Sequence, residues 1–331
     1  MKVSILIPTF NRGYILGAAI KSALGQTFRD FEIVVVDDGS TDHTADTVQE
    51  LSNPLVRYIR HEKNRGCSAA YNTAISAARG EYLAFLDSDD LWMPSYLERQ
   101  VSFLAKDPGV GAVFSDLEIV NGPTTIPSLI SLMKSFPKLL VGLKPGEEIV
   151  IGRREMYLCL LEEVPIKPSA LVLRRELCLQ SGLFNESWPS GTDWDLLLRL
   201  SHLSSFGYIN LPLAIQKWSP DATHRIHWEQ DKIFLLGLFL EEKRKLETAS
   251  DKEGLGAVNR GLLIHYSNLA YVYLYSRRRR MSISTYLKGY RETKDFSMLR
   301  GAASALLPIQ SRDAVKKVYR RVVRTNTCTA A

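Results

Sequence analysis

Short apolar runs alternate with amphipathic segments along the first part of the chain. Four runs that read as buried strands span residues 3–7, 31–36, 56–60 and 82–86. Three segments with helical spacing lie between them, at residues 14–26, 44–51 and 67–78. This alternation predicts an α/β fold with a mainly parallel central sheet, flanking helices and right-handed crossovers.

The same pattern continues beyond the fourth strand. Further strands are predicted at 110–114, 169–173, 208–211 and 214–217, with helices at 94–106 and 192–200. Prolines and glycines interrupt residues 122–150, and we interpret this stretch as an irregular insertion, in which 129–140 can form a helix. From residue 229 the pattern is helical. The sequence thus predicts an α/β domain over 1–228 and a C-terminal helical region over 229–331.

Charge is distributed unevenly between these two parts. The 331 residues carry a net charge of +6, yet residues 271–331 hold 14 Lys and Arg against 3 Asp and Glu. This basic region includes four consecutive arginines at 277–280. Such a run is either a solvated face or a surface for anionic lipid, to which each cation contributes about 1 kcal/mol. No nucleic-acid-binding motif accompanies it, so we expect no nucleic acid partner.

The cysteines and the N-terminal residues favour a cytoplasmic protein. The four cysteines are far apart and lack metal-type spacing, which favours reduced thiols. The chain begins with a strand-like run and contains no apolar stretch of about 18 residues. We therefore expect no signal peptide, no membrane-spanning helix and a cytoplasmic location, with peripheral contact at the inner face of the membrane.

Polar residues follow the predicted strands. Thr9 follows the first strand, Asp38 the second, and the acidic cluster DSDD at 87–90 the fourth. Loops after parallel strands share one edge of the sheet, where ligands commonly bind. Crowded carboxylates repel one another unless water or a cation lies between them. The cluster is therefore either a cation site or an acidic turn in which Asp90 caps the next helix.

Five segments contain most of these residues. They are VSILIPTFNR (3–12), VVVDDGSTD (34–42), NRGCSAAYNTAI (64–75), GEYLAFLDSDDLWMP (80–94) and TDWDLLLRL (192–200). In order and spacing they resemble the motifs of family 2 glycosyltransferases, over roughly residues 1–225. The resemblance implies a GT-A fold that binds a nucleotide-diphospho-sugar and transfers the sugar with inversion at the anomeric carbon.

The resemblance assigns the acidic cluster to metal and donor binding. Asp89 is implied as a ligand of Mg²⁺ or Mn²⁺, and Asp87 as a ligand of the metal or the ribose. Ser88 lies between them and is implied in nucleotide-sugar binding. Either cation is held by one or two carboxylates together with phosphates, and it stabilises the charge on a departing diphosphate.

Residues after the first two strands are implied to bind the nucleoside. Asp38 would read the edge of the nucleobase, and a carboxylate that accepts from a ring N–H suits uracil. Pro8, Thr9 and Asn11 would border the base and ribose, although the Thr9 hydroxyl equally suits a turn.

Asp193 is implied as the general base that takes the proton from the acceptor hydroxyl. Thr192 stands where the family usually has Glu, and Asp195 is the alternative base. The alternative to the general base is that Asp193 is an acid in the first turn of a helix that stabilises the helix dipole.

Two further positions bear on the donor. Tyr71 stands where similar proteins often have Arg, which puts one diphosphate contact in doubt and makes Arg65 a candidate replacement. His224, within 222–225, is implied as a metal or phosphate ligand, although a lone histidine is more often an ordinary surface residue.

We therefore expect an inverting, metal-dependent glycosyltransferase. Its donor would be a UDP-sugar and its acceptor a carbohydrate or lipid-linked hydroxyl, in cell-surface polysaccharide or glycolipid biosynthesis. A nucleotidyltransferase is an alternative, but it would need a glycine-rich, lysine-bearing loop that residues 8–13 do not supply. A nucleotide-sugar-binding protein without catalysis is compatible with the departures at Tyr71 and Thr192.

Overall fold

A computed structural model describes residues 1–188, 192–217 and 228–306. The chain divides into two compact units. The first comprises Met1–Ser131, Leu139–Tyr157 and the described part of Val164–Ala222. The second comprises Leu132–Lys138, Leu158–Glu163 and the described part of Thr223–Ala331. The division predicted at residue 228 stays a prediction.

The first unit is built on one sheet. Its strands are β1 (Val3–Thr9), β2 (Phe31–Asp37), β3 (Val56–Arg60), β4 (Tyr82–Phe85), β5 (Leu91–Trp92), β6 (Val110–Asn121), β7 (Thr124–Ile126), β8 (Glu148–Ile151), β9 (Leu171–Arg174) and β10 (Ser205–Lys217). Their order is β3-β2-β1-β4-β9-β6-β10-β5, with β7 paired to β6 and β8 to β10. Every residue of β1 and β2 is buried, because both faces of these strands are covered.

Helices connect or flank these strands. They are α1 (Gly13–Leu24), α2 (Thr44–Leu51), α3 (Cys67–Ala77), α4 (Tyr96–Lys106), α5 (Arg153–Leu160), α6 (Arg175–Gln180) and α7 (Thr192–Leu203). Strands β3, β2, β1 and β4 are parallel, with α1, α2 and α3 as the crossovers. The ends of β1, β2 and β4 consequently share one edge.

The other half of the sheet is mixed. Strand β9 runs antiparallel to both β4 and β6, whereas β10 runs parallel to β6 and antiparallel to β5 and β8. The first half of the sheet is therefore entirely parallel, whereas the second half combines one parallel pair, β6 and β10, with antiparallel pairs. An antiparallel neighbour needs no helical crossover, and β9 is reached through the insertion. The predicted fold class of an α/β sheet with flanking helices and a C-terminal helical region is confirmed.

The insertion differs from the predicted helix at 129–140. Strand β6 extends to Asn121 and forms a hairpin with β7. Residues 129–140 then form two short 3₁₀ segments, Ile130–Leu132 and Phe136–Leu140. The extended pieces predicted at 208–211 and 214–217 belong to one strand, β10, whose register shifts around Pro212.

The second unit contains helices α8 (Trp228–Thr248), α9 (Lys252–Tyr275), α10 (Arg279–Thr293) and α11 (Phe296–Leu306). Consecutive helices pack against one another in this order. A Cβ atom at Gly261 of α9 would overlap the Leu161 carbonyl oxygen and the Phe239 ring, so only glycine allows this close approach. The buried Glu163 carboxylate accepts backbone N–H groups of Lys134, Ser135 and Phe136 at 2.9, 2.7 and 2.6 Å.

Within the described ranges, none of the helices combines the length and apolar character needed to cross a membrane.

Candidate functional site

The loops after β1 and β2 are fixed to each other. Asn11 has a φ of 51°, a left-handed conformation that Asn tolerates. Its N–H donates to Ser40 Oγ at 2.8 Å, and its Oδ1 accepts the Thr41 N–H at 2.8 Å. The Asn11 side chain is therefore engaged in joining the two loops.

Thr9 ends β1 with a buried hydroxyl. Its side-chain oxygen has no hydrogen-bond partner among the described residues. Leaving a buried hydroxyl unpaired costs about 1–3 kcal/mol, which makes this position suited to a polar ligand atom. Pro8 precedes it in the strand and is also buried.

Asp38 accepts hydrogen bonds from three groups. Its Oδ1 accepts from His61 Nδ1 at 2.7 Å and from the Arg65 N–H at 2.9 Å. Its Oδ2 accepts the Gly66 N–H at 2.7 Å. A carboxylate has about four lone-pair sites, so Oδ2 retains capacity for one more donor. The interactions position Asp38 directly before the start of α3.

The acidic cluster follows β4. Burial raises the pKa of Asp87 to about 6, and the neighbouring Asp89 raises it as well. Tyr71 and Arg12 act in the opposite direction. Tyr71 donates from its hydroxyl to Asp87 Oδ1 at 2.7 Å, and Arg12 Nη1 lies 2.5 Å from Asp89 Oδ2. Ser88, between the two carboxylates, is buried.

Tyr71 is itself held rigidly on α3. Its side chain is only 2% exposed. The ring stacks on Phe184 with centroids 5.0 Å apart and meets Phe85 edge-on at 5.4 Å. The residue that replaces the family's Arg therefore supplies a hydrogen-bond donor to Asp87 instead of a cation.

Asp90 does not cap the next helix, and this interpretation was wrong. Helix α4 begins at Tyr96, six residues beyond the cluster's last aspartate and one after Ser95. The buried Asp90 instead accepts from Ser169 Oγ at 2.6 Å and from the Lys217 N–H at 3.1 Å. It thereby fixes the β4–β5 turn to the end of β10. Burial and the charge of Asp87 raise the Asp90 pKa well above its ordinary value.

Helix α7 brings Asp193 to the same edge. The Thr192 hydroxyl lies 2.9 Å from that of Ser68, which connects the starts of α7 and α3. Asp193 is close enough to Asp87 to contribute to the raised pKa of that carboxyl group, after the larger effects of burial and Asp89. Asp195, the alternative base, is paired with Arg199 at 2.7 Å.

Arg65 lies at the rim of the site. Its guanidinium pairs with Glu186 at 3.1 Å, and its side chain is 48% exposed. Asn72 holds the same loop, because its Nδ2 donates to the Phe184 carbonyl and to Glu186, both at 2.9 Å. The loop over Tyr71 is thus attached to α3 at two points.

The carboxylates of the cluster fit a divalent cation whose coordination shell is completed by phosphate oxygens. Mg²⁺ and Mn²⁺ are commonly held by one or two carboxylates together with substrate phosphates. Asp87 and Asp89 supply two such carboxylates, and the raised pKa of Asp87 reflects charge that a cation would stabilise. Within the described residues, no cluster of three or more His, Cys, Asp or Glu side chains is arranged to hold a metal by itself.

The structure brings most of the predicted site residues to one edge of the first unit. They are Pro8, Thr9, Asn11, Asp38, Arg65, Asp87, Ser88, Asp89 and Asp193. Their individual roles stay predictions. His224 lies outside the described residues.

Two residues of the site, Arg12 and His61, were not predicted from the sequence. Arg12 follows the first strand directly, and a cation at that position was a signal for an anionic neighbour. His61 follows β3 and gave no signal, because its partner Asp38 lies on another loop.

Comparisons with known proteins agree with this architecture. The computed structure resembles that of S. aureus TarS 1-349 in complex with UDP-GlcNAc, with a TM-score of 0.66, 19% identity and coverage of 98% of this chain and 90% of the other. It also resembles the mannosyltransferase PcManGT from Pyrobaculum calidifontis in complex with GDP-Man and Mn²⁺. That match has a TM-score of 0.57, 18% identity and coverage of 98% and 85%. These likenesses support the GT-A fold.

Sequence relatives identify the family. The chain is 35% identical over 139 residues to the Escherichia coli UDP-Glc:alpha-D-GlcNAc-diphosphoundecaprenol beta-1,3-glucosyltransferase WfgD. This match covers 42% of the chain and about half of WfgD, 54% of its length. The family model described as glycosyl transferase family 2 matches residues 4–169. The chain therefore belongs to glycosyl transferase family 2.

Proposed function

We propose that this protein transfers a sugar from a nucleotide-diphospho-sugar to a hydroxyl acceptor, with inversion at the anomeric carbon. The observation that carries the proposal is the meeting of three features at one edge of the sheet. A carboxylate pair follows β4, a further carboxylate lies in the first turn of α7, and the hydroxyl that ends β1 has no hydrogen-bond partner in the part of the chain that the structure describes. The pair suits a diphosphate with its cation, and the separate carboxylate suits proton transfer.

Asp193 acts as the general base in this proposal. The acceptor oxygen attacks the anomeric carbon while its proton passes to the Asp193 carboxylate. The bond between that carbon and the diphosphate oxygen breaks, and the diphosphate leaves with the electron pair. A positioned base of this kind contributes roughly 10²–10⁴-fold to the rate.

Asp87 and Asp89 hold the divalent cation, Mg²⁺ or Mn²⁺, in the proposal. A bound cation supplies Lewis-acid stabilisation of the departing diphosphate. Tyr71 orients Asp87 for this role through its hydroxyl, and Ser169 Oγ accepts the Asp87 N–H at 3.0 Å. The Mn²⁺ named with PcManGT supports this choice of cofactor.

The donor is a uridine nucleotide sugar and the acceptor a lipid-linked or polymeric carbohydrate. Asp38 retains acceptor capacity on Oδ2, which suits the ring N–H of uracil, and Pro8 and Thr9 border the nucleoside. UDP-GlcNAc is named with TarS, and WfgD is named as a transferase from UDP-Glc to a diphosphoundecaprenol-linked sugar. We place the activity in surface polysaccharide or glycolipid assembly, at the cytoplasmic face of a membrane.

Asp193→Asn tests the proposal directly. The variant keeps the side-chain shape but cannot accept the proton, so transfer should fall by roughly 10²–10⁴-fold. Calorimetry with UDP and Mn²⁺ should give an unchanged dissociation constant, because the base does not hold the nucleotide. Transfer at the wild-type rate would exclude Asp193 as the base.

Asp89→Ala is the complementary variant for the metal site. It should lose the dependence of UDP binding on Mn²⁺, whereas Asp193→Asn keeps it. A wild-type protein that binds UDP equally with and without Mn²⁺ would contradict metal dependence. A protein that binds UDP-sugars but transfers none to any hydroxyl acceptor would leave only a binding function.

A further inference from the structure

The guanidinium of Arg12 lies next to the carboxylate pair formed by Asp87 and Asp89. Arg12 Nη1 lies 2.5 Å from Asp89 Oδ2, and the two side chains are only 15% and 13% exposed. Arg12 also interacts electrostatically with Asp87. Because the pair is largely shielded from water, salt screens the attraction much less than at an exposed bridge. The Arg12 guanidinium thus supplies positive charge next to the Asp87 and Asp89 carboxylates.

The backbone that carries Arg12 is fixed by the neighbouring loop. The Arg12 N–H donates to Thr44 Oγ1 at 3.2 Å, and the Gly13 N–H donates to Asp42 Oδ2 at 3.0 Å. Helix α1 begins at Gly13. A Cβ atom at Gly13 would lie 2.8 Å from the Thr44 nitrogen, so the two loops are in direct contact. Any movement of the Arg12 charge must therefore come from its side-chain torsions.

Two cations cannot share the pair without repelling each other. A divalent ion at Asp87 and Asp89 would lie within a few ångströms of the guanidinium, where like charges repel by several kcal/mol at an effective dielectric constant of about 20. The flexible side chain is the component that can yield. A planar guanidinium that leaves a carboxylate binds a phosphate with the same paired N–H donors.

We propose that Arg12 is an exchangeable counterion that couples metal binding to donor binding. In the free protein it neutralises the Asp87–Asp89 pair and competes with the divalent cation. When the cation and the nucleotide-sugar are both bound, Arg12 turns to the donor diphosphate. The proposal rests on the proposed function in one respect, the assignment of a cation and a diphosphate to this edge.

Manganese binding without nucleotide tests the competition. Arg12→Gln removes the resident charge, so the Mn²⁺ dissociation constant should fall by about tenfold, measured by electron paramagnetic resonance of free Mn²⁺. Arg12→Lys keeps the charge and should stay within about threefold of wild type. Arg29→Gln makes the same charge change at an exposed position after α1 and should leave the Mn²⁺ affinity unchanged. Circular dichroism confirms that each variant is folded.

Nucleotide binding tests the second half of the coupling. With Mn²⁺ saturating, calorimetry should give UDP affinity about tenfold weaker for Arg12→Gln than for wild type, because a diphosphate contact is lost. Unchanged or weaker Mn²⁺ binding by Arg12→Gln would overturn the competition, and unchanged UDP affinity would overturn the diphosphate contact. A wild-type protein that binds no Mn²⁺, with or without UDP, would instead contradict the proposed metal site itself.

Discussion

Several residues at the site have hydrogen-bond partners that restrict their possible roles. Asp38 is an example, because three donors orient it before any ligand arrives. A carboxylate only accepts hydrogen bonds, so His61 must donate from Nδ1 to Asp38, and its Nε2 lies 2.9 Å from Thr73 Oγ1. His61 and the Arg65 N–H therefore hold Oδ1, whereas Oδ2 accepts from the Gly66 N–H.

Replacement of His61 should weaken nucleotide binding without slowing the chemical step. His61→Leu removes both hydrogen bonds, and we expect UDP to bind about tenfold more weakly, because Asp38 loses its orientation. The turnover number at saturating donor should stay unchanged, since His61 contacts no reacting atom. Titration calorimetry and steady-state kinetics measure the two quantities.

Two further variants separate orientation from general destabilisation. His61→Asn keeps a donor for Asp38 and should recover most of the affinity, whereas Thr73→Val removes only the outer hydrogen bond and should cost less than about threefold. Equal losses in all three variants would indicate that the position matters only for folding.

The sequence predicted those site residues that lie directly at strand ends. The buried runs before Thr9, Asp38 and Asp87 defined β1, β2 and β4, and parallel strands align their ends. It did not predict Arg12 beside Asp89 or His61 beside Asp38, because side chains that reach across loops leave no periodic pattern. The role of Asp90 was mistaken for the same reason, since its partners Ser169 and Lys217 lie far along the chain.

At the scale of the structural elements, the conformation of the loop after β2 depends on one glycine, Gly39. Gly39 has a φ of +80°, and a Cβ atom there would lie 2.7 Å from the Lys63 carbonyl carbon and 2.8 Å from the Asn64 nitrogen. The β2 loop and the loop before α3 are therefore in backbone contact. This contact positions Asp38 beside the N–H groups of Arg65 and Gly66.

Gly39→Ala should destabilise the protein more than a left-handed backbone alone explains. Gly142 is a matched control, with a φ of +85° and nothing within 4 Å of its Cβ position. We expect Gly142→Ala to cost about 1 kcal/mol and Gly39→Ala at least about 1–3 kcal/mol more, because two loops must separate. Urea unfolding measures both. Equal losses would show that the loops adjust freely.

Glu32 connects three elements from within β2. Its Oε1 accepts from Ser4 Oγ at 2.7 Å and the Arg79 N–H at 2.8 Å, and its Oε2 lies 2.7 Å from Arg57 Nη1. Burial acts to raise the Glu32 pKa, but these donors lower it by more, so it lies below its ordinary value of 4.5.

Glu32 should make the free energy of unfolding of the first unit depend on pH. A pKa that is lower in the folded than in the unfolded state stabilises the fold above the unfolded value, and this contribution disappears as pH falls through the folded value. Glu32→Gln should therefore lower the urea midpoint at pH 7. The difference from wild type should shrink progressively below pH 4.5. A constant difference from pH 7 to pH 3 would contradict a charge effect.

At the scale of the whole molecule, the excess positive charge of the C-terminal residues includes arginines 277–280, which lie in the helical unit. Arg278 is engaged there, since it pairs with Glu229 and its guanidinium carbon lies 4.8 Å from the Tyr273 ring centroid. Arg277 and Arg280 are exposed, and so is Tyr275 at 77%. Exposed cations beside an aromatic ring suit the surface of an anionic membrane.

Anionic vesicles should bind the protein through these arginines. We expect co-sedimentation with phosphatidylglycerol vesicles but not with phosphatidylcholine vesicles. The double variant Arg277→Gln/Arg280→Gln should weaken binding by about tenfold or more, at about 1 kcal/mol per cation. The double variant Lys21→Gln/Arg29→Gln changes the net charge equally and should bind as wild type. Equal binding to both vesicle types would rule out an electrostatic membrane surface.

At this scale the sequence predicted the α/β class and the helical end, because both rest on long periodic patterns. It did not predict the antiparallel pairs in the second half of the sheet, since the direction of pairing depends on where a connection returns. Strand β9 follows an insertion without clear periodicity. The sequence therefore did not predict which strands pair with β9, nor the 3₁₀ segments Ile130–Leu132 and Phe136–Leu140.

The discontinuous make-up of the helical unit affects how the chain matures during synthesis. Glu163 and the 132–138 segment leave the ribosome before α8, and Trp228 lies 65 positions after Glu163. At about 5–20 residues per second, this interval lasts roughly 3–13 s. During that time Leu161 lacks the helix whose Gly261 later packs against its carbonyl. The segments 132–138 and 158–163 therefore cannot complete their packing in the second unit until α9 has been translated.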